Sequence, residues 1–383
     1  MPPETGLVVL QVLPALETGG VERGTVEMAA AIAGAGGTAL VASAGGRMVP
    51  EVEHAGGRHV TLPLRARTPL AIWRNAGRLA SLIRAEGVRI VHARSRAPAW
   101  SAWWATRRTG ARFVTTYHGV YNEDLPGKRR YNAVMARGER VIAISRYVAD
   151  VLQARHGVDP ARIRVIPRGV DPAVFDPTAV SAERVARLAR AWRLPEGAPV
   201  VMLPARLTRW KGQTVLVEAM ARLVRRDAVC VLVGGGDAGF ARELEARAHA
   251  AGVAERVRLA GHCDDMPAAL LLADAVVSAS TDPEGFGRAV IEAQAMARPV
   301  IATDHGGAAE TVEHGATGWR VPPGDPAALA AALDRALSLS PEGRRALGAR
   351  ARASVCARYT AAAMQAATLD VYREVLRDAP PRP

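Results

Sequence analysis

Two glutamates, Glu284 and Glu292, lie eight residues apart in the stretch TDPEGFGRAVIEAQAMARPVIAT, residues 281–303. The apolar pattern predicts a helix that begins near Phe286 or Gly287, and the backbone amides at such a start favour a phosphate. Glu284 would then lie beside the group that the phosphate carries, and Glu292 further along the helix flank. A carboxylate can accept hydrogen bonds from two hydroxyls of a sugar or ribose. The alternative is that Glu284 only caps the helix and Glu292 is a surface charge.

A second candidate pair, Arg206 and Lys211, follows the apolar run PVVMLPA at 199–205 and precedes a predicted helix. Of the 50 basic residues only Lys128 and Lys211 are lysines, which hints that a compact point charge is needed there. A guanidinium fork and an ammonium group could converge on a diphosphate. In a chain so rich in arginine, a solvated basic loop is the alternative.

A glycine pair, Gly19 and Gly20, separates the apolar run LVVLQVLP from a long helix predicted to start near Val21. Such a turn brings backbone N–H groups close to an anion. The motif is neither GxGxxG nor GxxxxGK[ST], so it supports neither dinucleotide nor P-loop binding. An ordinary strand-to-helix turn is the other interpretation.

Short apolar runs alternate with longer helical stretches along the chain. The predicted strands form a first series at 7–14, 38–43, 88–93, 112–118, 140–145 and 162–167, and a second at 199–205, 228–236, 256–261, 274–280 and 299–304. This alternation predicts right-handed βαβ units and parallel sheets. Two series predict an α/β protein with two doubly wound domains, and ligands are expected at the carboxyl ends of the strands, in the cleft between the domains.

The predicted domain boundaries follow from the turn-rich stretch RGVDPAVFDP, residues 168–177. Residues 1–170 form the predicted N-terminal domain and 171–197 the connection. Residues 198–358 form the predicted C-terminal domain. A helix at about 360–380 is expected to pack back on the first domain.

The composition narrows the choice of partner. A formal net charge of +13 indicates a polyanionic partner, which is nucleic acid, an anionic membrane surface or a phosphorylated substrate. Dispersed arginines without interleaved aromatics disfavour a nucleic-acid groove. The three widely spaced cysteines form neither a disulfide framework nor a metal knuckle. With no leader and no apolar span, a cytoplasmic protein is expected, with peripheral contact at the inner face of the plasma membrane left open.

The stretch EGFGRAVIE resembles the E-x7-E signature of retaining GT-B glycosyltransferases of family 4. Other segments resemble the family pattern in the same order. The GG-V-E loop resembles the family's N-terminal glycine loop, and Arg206 and Lys211 resemble its R-x4-K diphosphate clamp. Residues 261–280 resemble the strand and loop that hold the base, and residues 306–325 resemble its GG-x-x-E loop and its G-x-T-G-x-x-V-x-P-x-D run. VIPRGVD is similar to I-P-N-G-V-D, with Arg168 in place of asparagine. The resemblance covers nearly the whole chain and implies two Rossmann-like domains facing across a cleft. It implies that the N-terminal domain, 1–170, binds the acceptor and that the C-terminal domain, 198–358, binds the nucleotide sugar.

The resemblance also implies roles for individual residues. Arg206 and Lys211 would neutralise the diphosphate leaving group, while Glu284 would hold donor-sugar hydroxyls and Glu292 ribose hydroxyls. His118 matches a family histidine near the reaction centre, although a histidine at a strand end is also a common structural hydrogen bonder. The candidate catalytic residues are therefore Glu284, His118, Arg206 and Lys211, and further donor contacts are implied for Gly19, Gly20, Gly285, Phe286, Gly287 and His262.

The acceptor is less constrained. Strand ends of the first domain carry Arg94, Ser95, Arg96, Ser145 and Arg146, of which Arg94, Arg96 and Arg146 are candidate contacts to an anionic acceptor. The segments RSRAPAWSAWW and VTTYHGVYN are similar to those of lipopolysaccharide-type enzymes. Exposed tryptophans at 100, 103 and 104 would suit a lipid-linked acceptor, and packing in the helix core is their alternative.

The resemblance therefore implies transfer of a sugar, with retention of configuration, from a UDP-, GDP- or ADP-linked donor to a glycan or lipid-linked acceptor. The pathway would be lipopolysaccharide or other cell-envelope polysaccharide synthesis. No D-x-D motif lies beside a strand, so neither a metal ion nor a cofactor is expected, and cationic side chains would stabilise the departing diphosphate. The alternatives are a nucleotide-sugar epimerase of the same architecture and a basic nucleic-acid-binding protein; a nicotinamide enzyme lacks its GxGxxG.

Overall fold

The computed structural model describes residues 6–378, and these fold into two compact units. The first unit comprises residues 6–168 and 361–378, and the second comprises Gly169–Thr360. The predicted connection, residues 171–197, falls within the second unit. The first five residues of the predicted N-terminal domain and residues 379–380 of the predicted C-terminal helix lie outside the described residues.

A parallel sheet forms the centre of the first unit. In residues 6–168 its seven strands are β1 Val8–Val12, β2 Thr38–Ser43, β3 Arg58–Thr61, β4 Ile90–Ala93, β5 Arg112–Tyr117, β6 Arg140–Ala143 and β7 Ile163–Val165, in the order β3-β2-β1-β4-β5-β6-β7. The chain steps outward from β1 to β3 and then returns to place β4 beside β1. The order of strands therefore reverses between β1 and β4, which is where open α/β sheets bind ligands.

Helices connect these strands. They are α1 Gly20–Gly34, α2 Val49–His54, α3 Pro69–Ala85, α4 Arg96–Thr109, α5 Lys128–Asn132 and α6 Arg146–His156. Because helices cover both faces of a parallel sheet, its strands read as continuous apolar runs, and Val9, Leu10 and Val12 are completely buried. The sequence prediction missed β3, whose four residues RHVT are only partly buried at the sheet edge.

The second unit repeats this plan. Within Gly169–Thr360 the strands are β8 Val200–Pro204, β9 Val229–Val233, β10 Val257–Gly261, β11 Ala275–Ser278, β12 Val300–Thr303 and β13 Trp319–Val321, in the order β10-β9-β8-β11-β12-β13. The helices are α7 Ala182–Ala191, α8 Gln213–Met220, α9 Ala238–Ala250, α10 Met266–Leu272, α11 Arg288–Ala295, α12 Pro326–Leu337 and α13 Pro341–Arg358. The order reverses between β8 and β11. The prediction missed β13, a three-residue edge strand that contains an arginine.

The last helix, α14 Ala361–Arg377, belongs to the first unit, where it packs against α1. Gln365 donates a hydrogen bond to the Glu27 carbonyl at 2.8 Å. Tyr372 is completely buried, and its hydroxyl lies 2.7 Å from Nδ1 of His92. No helix in residues 6–378 is long and apolar enough to cross a membrane.

Candidate functional site

The central strands of the second unit, β8 and β11, are neighbours whose following loops begin at the same edge of the sheet. The loop after β8 carries Lys211, and the loop after β11 carries Glu284. All strand pairs of this sheet are parallel, so the carboxyl ends of the strands lie at this edge. The strand order reverses between β8 and β11, and a ligand is expected at the carboxyl ends of these two strands.

Lys211 and Glu284 form an ion pair there. The distance from Lys211 Nζ to Glu284 Oε1 is 2.8 Å, and the two side chains are only 17% and 13% exposed. Ser280 donates a hydrogen bond to the same oxygen, and Ser278 Oγ lies 3.4 Å from it. All of these contacts from described residues go to Oε1, so the carboxylate is oriented while Oε2 remains available to a ligand hydroxyl.

The position of Lys211 depends on a close backbone approach. Lys211 ends the short 3-10 helix Arg209–Lys211 and lies 4.3 Å from the ring centroid of Trp210. Gly212 follows with φ 74°, and a Cβ atom there would lie 1.8 Å from the carbonyl oxygen of Ala279. Only glycine allows this approach, because a side chain would need both a strained φ and the space of that carbonyl. The amide of Thr281 donates to the Trp210 carbonyl at 2.8 Å, which joins the two loops.

The start of α11 is shaped by glycines as well. Gly287 is its N-cap, with φ 85°, and a Cβ atom at Gly287 would lie 2.9 Å from that of Ala308. The amide of Gly307 donates to the Glu284 carbonyl at 2.8 Å. The helix begins at Arg288, slightly later than predicted. Its N-terminus thus lies in the same turn as Glu284, where its free backbone amides favour negative charge.

Glu292 lies one helical turn beyond Arg288, whose Nε contacts Glu292 Oε1 at 2.8 Å. The Glu292 side chain is 16% exposed. Neither Glu284 nor Glu292 is therefore a solvated surface charge. Phe286 is buried, and its ring packs edge-on against the ring of Tyr359 with 5.5 Å between the two centroids. This contact holds the turn that contains Glu284 in place.

Two other predicted donor contacts, Arg206 and His262, have hydrogen bonds of their own. The side chain of Arg206 is exposed, and its carbonyl accepts a hydrogen bond from Gln213 at 2.8 Å. His262 follows the edge strand β10, and its Nε2 lies 2.9 Å from Asp264 Oδ1. Both residues follow strands of the same sheet as Lys211 and Glu284.

The first unit gathers positive charge at its own reversal point. Arg94 follows β4, is 2% exposed, and donates through Nη1 to Gln11 Oε1 at 3.0 Å. Gln11, which lies on β1, donates in turn to the Thr25 carbonyl at 3.0 Å. The Nε atom of Arg94 is buried without a hydrogen-bond partner among the described residues. A buried guanidinium that is held by neutral groups favours a nearby anion.

His118 ends the neighbouring strand β5. Its Nε2 is buried and has no partner within residues 6–378. Burial lowers the pKa of His118 well below its usual range, and the positive charges of Arg168 and Arg94 lower this pKa further. The imidazole is therefore neutral at pH 7, and it can accept or donate one hydrogen bond to a ligand.

Arg168 connects this cluster to the glycine turn before α1. It is 7% exposed and donates a hydrogen bond to the Gly20 carbonyl. A Cβ atom at Gly24 would lie 2.5 Å from the Arg168 guanidinium, so the arginine fits only because Gly24 has no side chain. Gly19, the N-cap of α1, has φ 144° and makes no side-chain cap. The structure thus brings Gly19, Gly20 and Arg168 together at the start of α1.

The other candidate acceptor residues lie elsewhere at the same sheet edge. Arg96 donates to Asn132 Oδ1 at 2.9 Å and stacks on Tyr121 at 4.2 Å. Arg146 is exposed at the start of α6. The hydroxyl of Ser145 caps this helix by accepting from the Val148 amide at 3.1 Å, which gives Ser145 a structural role.

The three tryptophans of α4 follow the packing alternative. Trp100, Trp103 and Trp104 are half-buried, and the Trp100 ring packs against both others. Trp100 Nε1 also donates to the Tyr131 carbonyl at 3.0 Å, and the Arg137 guanidinium lies over the Trp103 ring at 4.4 Å. A helix of this composition buries its large rings because their apolar area outweighs their polar atoms.

Several residues of these two sites were not predicted. Ser280 and Trp210, which hold Glu284 and Lys211, have no motif of their own. Gln11 did carry a signal, since it is a polar residue inside a buried apolar strand. Within residues 6–378 no group of three or more His, Cys, Asp or Glu is arranged to hold a metal ion.

Comparison with known proteins identifies the family. A model described as Glycosyltransferase Family 4 matches residues 18–174, and one described as Glycosyl transferases group 1 matches 186–354. The D-inositol 3-phosphate glycosyltransferase of Salinispora tropica is 32% identical over 329 residues, which is 78% of this chain and 68% of the relative. The chain belongs to this family of glycosyltransferases.

Two further comparisons describe this glycosyltransferase. The crystal structure of a glycosyltransferase from Rickettsia africae is 36% identical with a TM-score of 0.89, and the match covers 98% of this chain and all of that one. A GDP-mannose-dependent alpha-(1-6)-phosphatidylinositol monomannoside mannosyltransferase of Mycobacterium tuberculosis is 39% identical over 168 residues, 41% of this chain and 42% of the relative. The two Rossmann-like units are those of the GT-B fold.

Proposed function

We propose that this glycosyltransferase moves a sugar from a nucleoside-diphosphate sugar to a glycan or lipid-linked acceptor. The observation that carries the proposal is the Lys211–Glu284 pair, 2.8 Å apart and mostly buried, at the reversal point of the second sheet. It lies in the same turn as the N-terminus of α11. A cation, a helix N-terminus and an oriented carboxylate are the groups that a phosphorylated sugar requires.

In this proposal the second unit binds the donor. Lys211, Arg206 and the first amides of α11 stabilise the negative charge on the departing diphosphate. Glu284 accepts hydrogen bonds from the donor sugar through Oε2, and Glu292 accepts them from the ribose. The turn residues Gly285, Phe286 and Gly287 face the sugar and phosphate, and His262 belongs to the loop that holds the base.

The first unit contributes the remaining groups. The turn at Gly19 and Gly20 offers backbone amides to the diphosphate, and neutral His118 contacts a sugar hydroxyl near the reacting carbon. The proposed reaction retains configuration: the acceptor hydroxyl attacks the face that the diphosphate leaves, and its proton passes to a donor phosphate oxygen. The proposal includes metal independence, and an assay with a chelator present tests it. Nuclear magnetic resonance of the product's anomeric proton tests retention.

The proposed acceptor carries negative charge. The buried Arg94 and the residues Arg96 and Arg146 at the same sheet edge supply complementary positive charge, which supports this choice. The names of two relatives point to acceptors of this kind, since one refers to an inositol phosphate and the other to a phosphatidylinositol mannoside. The first candidate pathway, which the N-terminal segments predict, is synthesis of an envelope polysaccharide such as lipopolysaccharide. The second candidate is transfer to a phosphoinositol acceptor. Peripheral contact with an anionic membrane at the inner face of the plasma membrane is part of the first candidate.

A thermal-shift panel of nucleotides and nucleotide sugars tests the donor site. A nucleoside diphosphate at a hundred times its Kd should stabilise the protein by about 2.7 kcal/mol. The shift should shrink in Lys211→Ala and Glu292→Ala. The matched controls Arg242→Ala and Glu245→Ala change exposed residues of α9 and should behave as the unchanged protein. If no nucleotide raises the melting temperature, or if the site variants match their controls, the donor assignment is wrong.

A product assay separates transfer from the epimerase alternative. With the nucleotide sugar that gives the largest shift, a transferase should release nucleoside diphosphate and form a glycosylated product when an acceptor is added. An epimerase would instead isomerise the sugar with no acceptor present. Isomerised sugar without transfer would overturn the proposal.

A further inference from the structure

A wide, open surface cavity with basic lining lies between α5 and the end of α6 in the first unit, and none of its residues is among those proposed to bind the donor. Its volume is about 690 Å³. Arg129, Arg130, Arg155 and His156 supply its charged and titratable groups, and no carboxylate is among the lining residues that the structure describes. Three guanidinium groups outnumber the one carboxylate that contacts a lining residue, Glu123 beside His156, so the cavity carries a positive potential and attracts anions.

Two of the arginines are fixed in place. Arg129 donates through Nε to the carbonyl of Arg155 at 2.9 Å and also through Nη2, while Arg155 Nη1 lies 3.5 Å from the Tyr121 carbonyl. These bonds order the side chains before any ligand arrives, which lowers the entropic cost of binding. Capping of the α6 C-terminus by a cation explains Arg129, while Arg155 contacts the carbonyl of Tyr121 outside this helix.

Helix capping does not explain Arg130 or the cavity itself. The Arg130 side chain is exposed and has no polar contact among the described residues. Two glycines form part of the wall: Gly127 with φ 80° and Gly157 with φ 60°, each with open space where a Cβ atom would stand. At both positions the wall carries no side chain, which leaves this part of the cavity open to a ligand.

His156 reports on the charge within the cavity. Its Nε2 lies 3.1 Å from the Tyr117 hydroxyl and 3.7 Å from Glu123 Oε1. Burial lowers the pKa of His156, Glu123 opposes this effect, and the charges of Arg129 and Arg155 lower the pKa further. An anion bound beside Arg130 would offset those positive charges and raise the pKa.

We propose that the cavity lined by Arg129, Arg130 and Arg155 is a binding site for a phosphate-bearing group. The fork geometry of guanidinium groups matches phosphate oxygens, which favours phosphate over a carboxylate of the same charge. The phosphate belongs either to a small soluble molecule or to a lipid headgroup. The site is independent of the donor assignment, because no residue of the cavity is among the proposed donor contacts.

The first experiment follows the His156 imidazole by nuclear magnetic resonance in histidine-labelled protein while inorganic phosphate is added. A His156→Gln spectrum assigns the signal. Phosphate should raise the pKa of His156, and exposed His54 should report only the general effect of salt. In Arg130→Gln the phosphate affinity read at His156 should fall about tenfold, since one charge-assisted contact is lost.

The matched control is Arg74→Gln, which removes an exposed arginine of α3 and the same charge from the same unit. It should leave the titration of His156 unchanged. Because Arg130 makes no described polar contact, Arg130→Gln should melt at the temperature of the control, which separates lost binding from lost folding. If phosphate does not shift the His156 signal, or if Arg130→Gln titrates as Arg74→Gln does, the site does not exist.

A second arm identifies the source of the phosphate. Sedimentation with phosphatidylglycerol vesicles, against phosphatidylcholine vesicles, should separate Arg130→Gln from Arg74→Gln if the ligand is a lipid headgroup. The other outcome is that the two variants sediment equally with the vesicles and differ only in the phosphate affinity read from the His156 signal. In that case the ligand is a soluble phosphate. Failure of both arms would overturn the site and would leave the nucleotide-binding prediction for the second unit untouched.

Discussion

The two units place charged side chains at the same point of the same sheet plan, but they balance those charges differently. In the second unit Lys211 is paired with Glu284, and Arg288 with Glu292. In the first unit the buried Arg94 is held by the amide of Gln11, and neutral His118 lies within its field. The second unit therefore pairs its carboxylates and cations directly, whereas in the first unit Arg94 is hydrogen-bonded by a neutral side chain and the carboxylates of Glu27 and Glu22 act on its pKa only by their charge.

This difference follows from the cost of burying ions. A buried charge is tolerated when it is paired or hydrogen-bonded, and each unit meets this condition in its own way. Paired charges bind a ligand that offers both hydroxyls and phosphate. Positive charge that is held by neutral groups binds an anion, and in its absence it lowers the pKa of the neighbouring histidine. The four predictions below test this contrast, from the largest expected effect to the smallest.

Replacing Lys211 by alanine should lower kcat/KM by about 10²–10³, because it removes a cation that we propose stabilises the departing diphosphate and leaves Glu284 without its ionic partner. Steady-state kinetics with the donor found in the nucleotide panel measures this loss. The control Arg242→Ala should retain full activity. A Lys211→Ala enzyme as active as its control would show that the ion pair is structural.

Replacing Gly24 by alanine should destabilise the protein by about 1–3 kcal/mol, because the new methyl group overlaps the Arg168 guanidinium. Gly34→Ala in the same helix meets open space and should instead stabilise it by up to about 1 kcal/mol. Urea unfolding of both variants measures the difference.

The cause can be isolated with a second change. Adding Arg168→Asn to Gly24→Ala should recover part of the lost stability, since the shorter side chain leaves room for the methyl group. Additive losses in the double variant would mean that Gly24 serves the helix backbone and not the arginine.

Acidification should destabilise the first unit through its buried histidines. Burial lowers the pKa of His92 and of His118 well below 6.5, so the unfolded chain binds more protons and the free energy of unfolding rises with pH. As the pH falls below 6.5, each histidine should therefore cost about 1.4 kcal/mol per pH unit until its folded pKa is reached. Urea unfolding between pH 7 and 5 measures the slope. His118→Gln should reduce it and His54→Gln should not; equal slopes in all three proteins would contradict the assignment.

Replacing Ser280 by alanine should give the smallest effect, a fall in kcat/KM of about two- to tenfold, because Glu284 loses one hydrogen bond that orients its carboxylate. Ser278→Ala should have less effect, since its hydroxyl lies 3.4 Å from the same oxygen. A larger loss in the Ser278 variant would reverse the proposed order of the two serines. The kinetic assay used for Lys211→Ala measures both.

Most of the fold was predictable from local pattern, and the exceptions share a cause. Buried strands such as β1, which is apolar except for Gln11, and β9, which is apolar throughout, were predicted. The edge strands β3 and β13 are short and partly polar, because an edge strand is covered less completely than a central one. The exposure of the α4 tryptophans stayed open at the level of sequence because the exposure of a helix face depends on what packs against it.

The candidate site divides in the same way. Glu284, Lys211 and the glycines of their turns stand out by residue type and spacing. Ser280 and Trp210 do not, because a serine or a tryptophan has no distinctive spacing and gains its role only from a neighbour distant in the chain. Arg168 was visible as a departure from I-P-N-G-V-D, but the space it fills against Gly24 was not.

The sequence by itself determined the alternation of strands and helices, the two series of βαβ units and the residue types at the strand ends. These features depend on local periodicity and on the backbone freedom of glycine. Only the tertiary structure decided which charges pair and which are left with neutral partners, because the energy of a buried charge depends on contacts made across the fold.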